Sequence, residues 1–166
     1  MDGGTARLVS RNGNVYKSFP VLTTAIGFAL QVKNAILDGE IVHLGPDGAP
    51  LFYDLLRRRT PQHFYAFDLL WLDGCDLRGL SLIERKRLLR RVIPGQPSPV
   101  LYVDHVAHAG VDLYQAVCAR DMEGIVAKRA DGTYTPETTT WVKIKNPAYS
   151  QAEGRADLFD ARAARV

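Results

Sequence analysis

The segment HFYAFDLLWL, residues 63–72, is the most strand-like run of the chain and decides the fold class. Its aromatic and branched apolar side chains suit a pleated, half-buried strand, and Asp73 and Gly74 follow it as a hairpin signal. Upstream, residues 36–44 predict a second buried strand that ends in the turn sequence GPDG at residues 45–48. Strands joined by such turns predict antiparallel pairing.

Helical periodicity alternates with these strands. Apolar residues spaced three and four apart predict a helix over residues 20–33 with Pro20 in its first turn. SLIE at residues 81–84 is a capping box, and the apolar stripe after it predicts a helix whose Arg and Lys residues occupy the opposite face. We expect a third helix over residues 111–120 and a short helix or turn over residues 51–59. Further short strands are predicted at residues 6–10, 100–103, 124–128 and 141–144.

These elements predict an α+β fold of mainly antiparallel sheets flanked by helices, and not a doubly wound parallel fold. The 166 residues are 46% hydrophobic and 23% charged, which excludes collagen-like, coiled-coil and disordered classes. No stretch approaches the roughly 18 apolar residues that span a bilayer, and the first residues, MDGG, are unlike a signal peptide. With isolated Cys75 and Cys118, these features predict a cytoplasmic protein with reduced thiols.

The basic residues are mostly arginines and they cluster. A clustered arginine face is typical of nucleic-acid binding. It is equally typical of a solvated helix face in an organism whose GC-rich genome favours arginine codons, so charge alone leaves both interpretations open. The candidate DNA-binding residues are Arg57, Arg58, Arg59, Arg87 and Arg91.

Charged residues within apolar strands are the main chemical signal, because no Gly-rich phosphate loop, zinc spacing or nucleophile elbow is present. Glu40 and Glu123 adjoin strands, and Lys143 and Lys145 alternate with apolar residues on one side of a strand. Two carboxylates and two lysines suit a metal-bound polyphosphate. Structural salt bridges on a two-sided sheet would explain the same residues, so this choice also stays open.

Five segments in order resemble the adenylation domain of ATP-dependent DNA ligases, and most closely that of bacterial end-joining ligases. They are SRNG (residues 10–13), LDGEIV (37–42), FYAFDLL (64–70), EGIVAKR (123–129) and WVKIKNP (141–147). The resemblance implies the nucleotidyltransferase fold that DNA ligases share with mRNA-capping enzymes, which is similar to ATP-grasp. It makes residues 1–147 a partial adenylation domain and residues 148–166 a tail leading toward an oligonucleotide-binding-fold domain that the sequence does not contain.

The resemblance also implies a site. Glu40 would contact the ribose or the metal, Phe67 would stack on adenine, and Glu123 would help hold Mg²⁺ or Mn²⁺. Lys143 and Lys145 would act on the α-phosphate, and Arg11 would lie near the nucleotide and the nick phosphate of double-stranded DNA. The implied set for binding ATP or AMP is Arg11, Glu40, Phe67, Lys128, Lys143 and Lys145.

The family's nucleophile is the lysine of a K-x-D-G motif upstream of the SRNG turn, and no lysine precedes Asp2 here. The first lysine, Lys17, follows that turn. We therefore expect these residues not to self-adenylate. Three interpretations follow: a truncated ligase catalytic domain, a non-catalytic nucleotide- or DNA-binding remnant, or a related RNA ligase or capping enzyme. Loss of the strand that carries the nucleophile would also expose a sheet edge, which predicts that a partner or a second copy covers it.

Overall fold

The computed structural model describes residues 1–48, 50, 51, 54, 55, 57, 59, 61–95, 97–138 and 141–150. The chain divides into two compact units, one of Met1–Asp104 with Arg129–Thr139 and one of His105–Lys128 with Thr140–Val166. The larger unit contains α1 (Pro20–Ala29), β1 (Ala35–His43), β2 (Gln62–Leu72), β3 (Cys75–Asp76), α2 (Leu82–Val92) and β4 (Val100–Tyr102). The smaller unit contains α3 (Gly110–Ala119), β5 (Gly124–Ala127) and β6 (Val142–Lys145).

The predicted α+β class and the mainly antiparallel pairing are confirmed. In the larger unit β2 pairs with β1 and β3 antiparallel and with β4 in parallel. In the smaller unit β5 and β6 form a separate antiparallel pair. The predicted hairpin between β2 and β3 is present, with φ angles of 47° at Asp73 and 93° at Gly74. Two consecutive positive φ angles match the twist of the flanking strands.

The hydrophobic core of the larger unit lies between its sheet and its helices. Ala66 and Leu69 of β2, Leu89 of α2 and Val100 of β4 have no exposed surface. Helix α1 contributes Leu22 and Ile26 to the same cluster. Strand β2 therefore lies at the centre of this core, as its composition predicts.

Helix α2 begins at the predicted capping box. The Ser81 hydroxyl accepts from the Glu84 backbone N–H, and the Glu84 carboxylate accepts from the Ser81 backbone N–H. The next free N–H groups, those of Leu82 and Ile83, donate to carbonyls of residues 132 and 130 at 2.9 and 3.0 Å. The segment after β5 thus completes the N-terminus of α2.

The prediction that the basic residues of α2 all face solvent is wrong. Arg85 and Lys86 are 1% and 6% exposed. Arg85 pairs with the buried Asp68, and the Lys86 ammonium donates to the Val103 carbonyl at 2.7 Å and lies over the Tyr102 ring. Partners inside the unit outweigh the cost of desolvating these two charges, and helical periodicity alone does not reveal such partners.

Other element boundaries also differ from the predictions. Helix α1 ends at Ala29 because the backbone N–H groups of Lys33 and Asn34 donate to the Asp73 carboxylate, at 2.8 and 3.1 Å, and direct the chain into β1. Residues 6–10 form no strand, since their ladder pairing is a single bridge from Val9 to Val15. The remaining predicted strands and helices agree within one or two residues. Much of the stretch 51–59, and residues 151–166 of the predicted tail, lie outside the described residues.

Candidate functional site

The candidate residues fall in both compact units. Arg11, Glu40 and Phe67 belong to the larger unit, whereas the smaller unit carries Glu123, Lys128, Lys143 and Lys145. Each set has its own structural support within its unit.

A bulge in the β1–β2 ladder positions Phe67. Asp38 lies opposite Asp68 and the next residue, Gly39, lies opposite Ala66, so Phe67 is the extra residue of β2. A bulged residue leaves the regular alternation of the strand, and bulges often redirect a side chain at functional sites. Phe67 is half-buried.

Gly39 allows the same ladder to close on the other side of the bulge. A Cβ atom at Gly39 would lie 2.4 Å from the Tyr65 carbonyl oxygen and 2.6 Å from the Phe64 ring. Any other residue would place a Cβ atom in that position, so only glycine lets β1 and β2 lie this close together. Glu40 follows directly, opposite Tyr65, and its side chain is exposed. The LDGE sequence therefore combines a close backbone contact with an exposed carboxylate.

A buried polar network on the other side of the bulge was not foreseen from the sequence. Asp68, with no exposed surface, accepts from Arg85 Nε and Nη2 at 2.7 and 2.9 Å and from the Leu69 backbone N–H at 2.9 Å. Arg85 Nη1 also donates to the carbonyls of Leu80 and Gly132, at 2.5 and 3.2 Å. The signal available in the sequence is the acidic Asp68 within an otherwise apolar strand.

Tyr134 extends this network to β1. Its ring lies beside the Arg85 guanidinium, 5.8 Å from Cζ to the ring centroid, and its hydroxyl donates to Asp38 Oδ2 at 3.2 Å. Burial and the nearby Asp38 carboxylate raise the pKa of Tyr134 to about 12. The hydroxyl therefore keeps its proton and remains a donor at neutral pH.

Arg11 lies in the predicted tight turn. The Gly13 backbone N–H donates to the Ser10 carbonyl at 2.9 Å, and the Asn14 N–H donates to the Ser10 hydroxyl at 3.0 Å. Gly13 has a φ of 81°. The Arg11 side chain is exposed, so it is available to an anionic ligand.

The lysines of β6 are exposed, which corrects the expectation that they are embedded in an apolar strand. Lys143 lies opposite Val126 and Lys145 lies opposite Gly124, so both lysines occupy one face of the β5–β6 pair. Glu40 and Glu123 are exposed as well. Between described residues, no ion pair involves Glu40, Lys143 or Lys145, so structural salt bridges do not explain these three charges.

Three contacts fix β6 against its own unit. A Cβ atom at Gly124, whose φ is 143°, would lie 2.2 Å from the Ile144 carbonyl oxygen. The Tyr114 hydroxyl of α3 donates to the Lys145 carbonyl at 2.9 Å. The buried Asn146 donates from its backbone N–H to the Glu123 carbonyl at 2.8 Å and from Nδ2 to the Met122 carbonyl at 3.0 Å.

Lys128 is held by an aromatic neighbour. Its ammonium nitrogen lies 3.8 Å from the centroid of the Trp141 ring. A cation over an indole face is attracted by the ring quadrupole. Lys128 directly follows β5 and Trp141 directly precedes β6, so this contact links the two strands at the end where Lys143 lies.

The acidic residues do not form a preassembled metal centre. Among the described residues, no group of three or more His, Cys, Asp or Glu side chains has the arrangement of a metal site. A metal site that uses one or two carboxylates, such as Glu40 and Glu123, suits Mg²⁺ that keeps waters and substrate phosphates as its other ligands.

Most of the predicted basic surface is exposed. Arg57, Arg59, Arg87 and Arg91 are exposed, although Arg59 lies 3.2 Å from Asp54 in an ion pair. Arg58 lies outside the described residues. No helix in the described part of the chain is long and apolar enough to span a membrane.

Comparison with known proteins identifies the class to which this fold and these motifs belong. Residues 1–145 match the family model described as "ATP dependent DNA ligase domain". The solved structure of mycobacterial DNA ligase D complexed with ATP and MES superimposes with a TM-score of 0.70 at 31% identity, over 87% of this chain and 48% of that one. The ligase domain of LigD from M. tuberculosis gives a TM-score of 0.69 with the same identity and coverage.

The chain therefore belongs to the ATP-dependent DNA ligase domain family. Its curated relatives include a DNA ligase of Methanothrix thermoacetophila, 33% identical over 87% of this chain and 29% of the relative. The multifunctional non-homologous end joining protein LigD of Mycolicibacterium smegmatis is 32% identical over 87% of this chain and 19% of the relative. The chain thus spans less than a third of the length of these curated relatives.

Proposed function

We propose that the chain is the nucleotide-binding part of an ATP-dependent DNA ligase that joins nicks in double-stranded DNA during repair or recombination. Family membership supports the reaction class. The observation that carries the assignment is the exposed pair Lys143 and Lys145 on one face of β6, held by Gly124, Tyr114 and Asn146.

The proposed nucleotide contacts follow from side-chain chemistry. Phe67 would stack on adenine, since an aromatic ring offers a π-face to any base. Lys128, Lys143 and Lys145 would neutralise phosphate oxygens, with the two β6 lysines acting on the α-phosphate during catalysis. Glu40 would contact the ribose or a metal, and Arg11 would contact the nucleotide and the nick phosphate.

A divalent cation, Mg²⁺ or Mn²⁺, would enter with the nucleotide phosphates. Glu40 and Glu123 are the residues that would assist in holding it, because carboxylates complement a metal–phosphate group. When bound, the cation would offset charge on the phosphate oxygens.

The basic residues of α2 are proposed to contact DNA phosphates beside the nick, with Arg57, Arg58 and Arg59 as further candidates. Arg87 and Arg91 are four residues apart on α2, so they share one exposed helix face. Replacing each by alanine should weaken binding to nicked DNA and reduce the salt slope by about one per lost phosphate contact. Arg78→Ala is the matched control, because Arg78 already pairs with Asp76 at 2.7 Å.

These 166 residues by themselves are proposed not to form the lysine–AMP bond, because no lysine precedes Asp2. In ligation, AMP is first linked to an enzyme lysine and then transferred to a DNA 5′-phosphate, so both steps need that nucleophile. In the last step a 3′-hydroxyl attacks the adenylated 5′-phosphate and AMP leaves. That step relies on positioning and charge stabilisation, which Lys143 and Lys145 would supply.

Sealing of a pre-adenylated nick tests this proposal. The 166-residue polypeptide, nicked DNA carrying a 5′-adenylate and Mg²⁺ or Mn²⁺ should yield slow joining, together with no labelling of the protein by ATP. The variant Lys143→Ala, Lys145→Ala should abolish joining, and Lys33→Ala, an exposed lysine elsewhere, should leave it unchanged.

The alternative function is a non-catalytic nucleotide- or DNA-binding module that acts with a partner. The exposed basic residues Arg87 and Arg91 would serve such binding without catalysis. Binding of ATP and nicked DNA without any joining above the double-lysine variant would select this alternative and contradict the proposed catalysis.

A further inference from the structure

Two carboxylates face each other across the β1–β2 ladder. Asp38 and Asp68 are directly opposite in the register, immediately next to the bulge that contains Phe67. Like charges directly opposite on one face of a sheet repel each other. This repulsion is stronger than it would be in water, because Asp68 has no exposed surface and the protein interior screens charge weakly.

Each carboxylate has a neighbour that offsets this repulsion. Arg85 forms two hydrogen bonds to Asp68, and the Tyr134 hydroxyl donates to Asp38 Oδ2 at 3.2 Å. The Tyr134 backbone is itself fixed, because its N–H donates to the Arg78 carbonyl at 2.9 Å. Tyr134 therefore approaches β1 from a segment that is anchored independently of the strand pair.

We propose that Tyr134 is a positioning residue for the nucleotide: its hydrogen bond to Asp38 holds β1 in the bulged register that presents Phe67 and Glu40. The inference rests on the proposed function, since it assumes that Phe67 and Glu40 contact ATP. Without the hydroxyl, Asp38 moves away from Asp68, and the adjoining segment, which carries Gly39 and Glu40, moves with it.

The positions of Glu40 and Phe67 in the ladder explain how loss of the Tyr134 hydrogen bond would affect ATP binding. Glu40 is two residues from Asp38 on β1, and Phe67 directly precedes Asp68 on β2. The bulge is thus enclosed by the Asp38–Asp68 pair on one side and by the close Gly39–Tyr65 contact on the other. Loosening the Asp38–Asp68 pair removes one of these two constraints on the bulge that contains Phe67.

Calorimetric titration of the 166-residue chain with ATP tests the inference. Tyr134→Phe keeps the ring beside Arg85 and removes only the hydroxyl, so the dissociation constant for ATP should rise about fivefold, as expected for one lost hydrogen bond. Tyr16→Phe is the matched control, because Tyr16 is an exposed tyrosine of the same unit and should bind ATP as the unmodified chain does.

Two further variants separate positioning from general destabilisation. Asp38→Asn retains an oxygen acceptor for Tyr134 and removes the charge, so it should bind ATP nearly normally, whereas Asp38→Ala loses the link between β1 and Tyr134 and should bind ATP more weakly than Asp38→Asn. In a Phe67→Leu background, Tyr134→Phe should add little to the loss of affinity, because both changes act on the same stacking contact. If Tyr134→Phe only destabilises the fold, its loss of ATP affinity should add in full to that of Phe67→Leu. Thermal melting measures that destabilisation separately.

The outcomes distinguish the two proposals. If the unmodified chain does not bind ATP, the proposed function is wrong and the inference is overturned with it. If the chain binds ATP but Tyr134→Phe and Asp38→Ala bind it equally well, or if their losses add fully to that of Phe67→Leu, the inference alone is overturned. Should Tyr134→Phe fail to fold, the comparison of Asp38→Asn with Asp38→Ala decides.

Discussion

Arg85 and Asp68 show how much of the larger unit depends on single side chains. Arg85 is a guanidinium with 1% of its surface exposed, and its donors reach Asp68, Leu80 and Gly132. It therefore links β2, the start of α2 and the segment after β5. A buried ion pair adds little stability compared with a well-packed apolar pair, but breaking it leaves a buried charge without its partner.

Arg85→Ala should lower the free energy of unfolding by about 3–5 kcal/mol, because Asp68 would remain buried and uncompensated. Denaturation by urea measures the change. Arg87→Ala, an exposed arginine on the same helix, should change the free energy by less than about 0.5 kcal/mol. Equal effects from the two variants would show that the buried pair has no special role.

His63 makes the stability of the larger unit sensitive to mild acid. Burial, and to a smaller extent the neighbouring His43, lower the pKa of His63 from its ordinary value of 6.5. Within the described part of the chain, the Nδ1 atoms of both histidines are buried and have no hydrogen-bond partner. The unfolded chain therefore binds the His63 proton at a higher pH than the folded chain does.

The sign of the effect follows from this difference in proton binding. Stability should be independent of His63 well above pH 6.5, and it should fall as the pH decreases through 6.5 toward the lower pKa of the folded state. Thermal melting at intervals between pH 8 and pH 5 measures it. His63→Gln should flatten that part of the profile, and an unchanged slope would contradict the assignment.

Among the elements, the β5–β6 pair keeps a close spacing between its two strands. Both faces of the pair carry exposed apolar residues, Val126 on the face of the lysines and Val142 and Ile144 on the other. Its geometry is set by the close approach of Gly124 to the Ile144 carbonyl and by the buried Asn146. The lysines of β6 are therefore positioned by backbone contacts and not by ion pairs between described residues.

Gly124→Ala should displace β6 and its lysines, because the new Cβ atom would lie 2.2 Å from the Ile144 carbonyl oxygen and the backbone φ of 143° disfavours any other residue. We expect at least a tenfold loss, on the order of 1.4 kcal/mol, in ATP affinity and in the rate of sealing pre-adenylated nicks. Gly79→Ala is the control, since a Cβ atom at Gly79 would meet no atom of the described residues within 4 Å apart from its own chain neighbours. Normal activity of Gly124→Ala would show that the spacing is not needed.

For the molecule as a whole, one edge of β1 matters most, the edge that does not face β2. Hydrogen bonds from residues 1–5 cover its start, where the Met1 ammonium donates to the Ala35 carbonyl at 2.7 Å and Asp2 forms a bridge with Asn34. Within the described ranges, no residue pairs with the middle of that edge, and Ile36 is 55% exposed. An unpaired edge with exposed apolar residues favours strand addition.

The chain should therefore associate with itself or with a partner through β1. Sedimentation velocity over increasing concentration should show a species larger than the monomer, and Ile36→Lys should restore the monomer because a lysine on an edge strand opposes pairing. Lys33→Ala, which lies before β1, is the control. A monomer at every concentration would contradict self-association through this edge.

Particular residues show what could be predicted. The β2 strand, the Asp73–Gly74 hairpin and the capping box at Ser81 were predictable because each is set by local chemistry. The exposure of Lys143 and the bulge at Phe67 were not, because both depend on which strand lies opposite. The buried Arg85 was assigned to the wrong face, since its partner Asp68 is distant in sequence.

The sequence by itself determined the α+β class, the strand and helix types, the family resemblance and the set of charged residues that the proposed function uses. Those properties are encoded in short segments, where propensity, turn chemistry and motif order act locally. Only the tertiary structure decided that Asp68 and Arg85 form a buried pair, that Tyr134 reaches Asp38, and that Gly124 sets the spacing of β6. These contacts join residues far apart in the chain, and their energy depends on burial and distance, which exist only after folding.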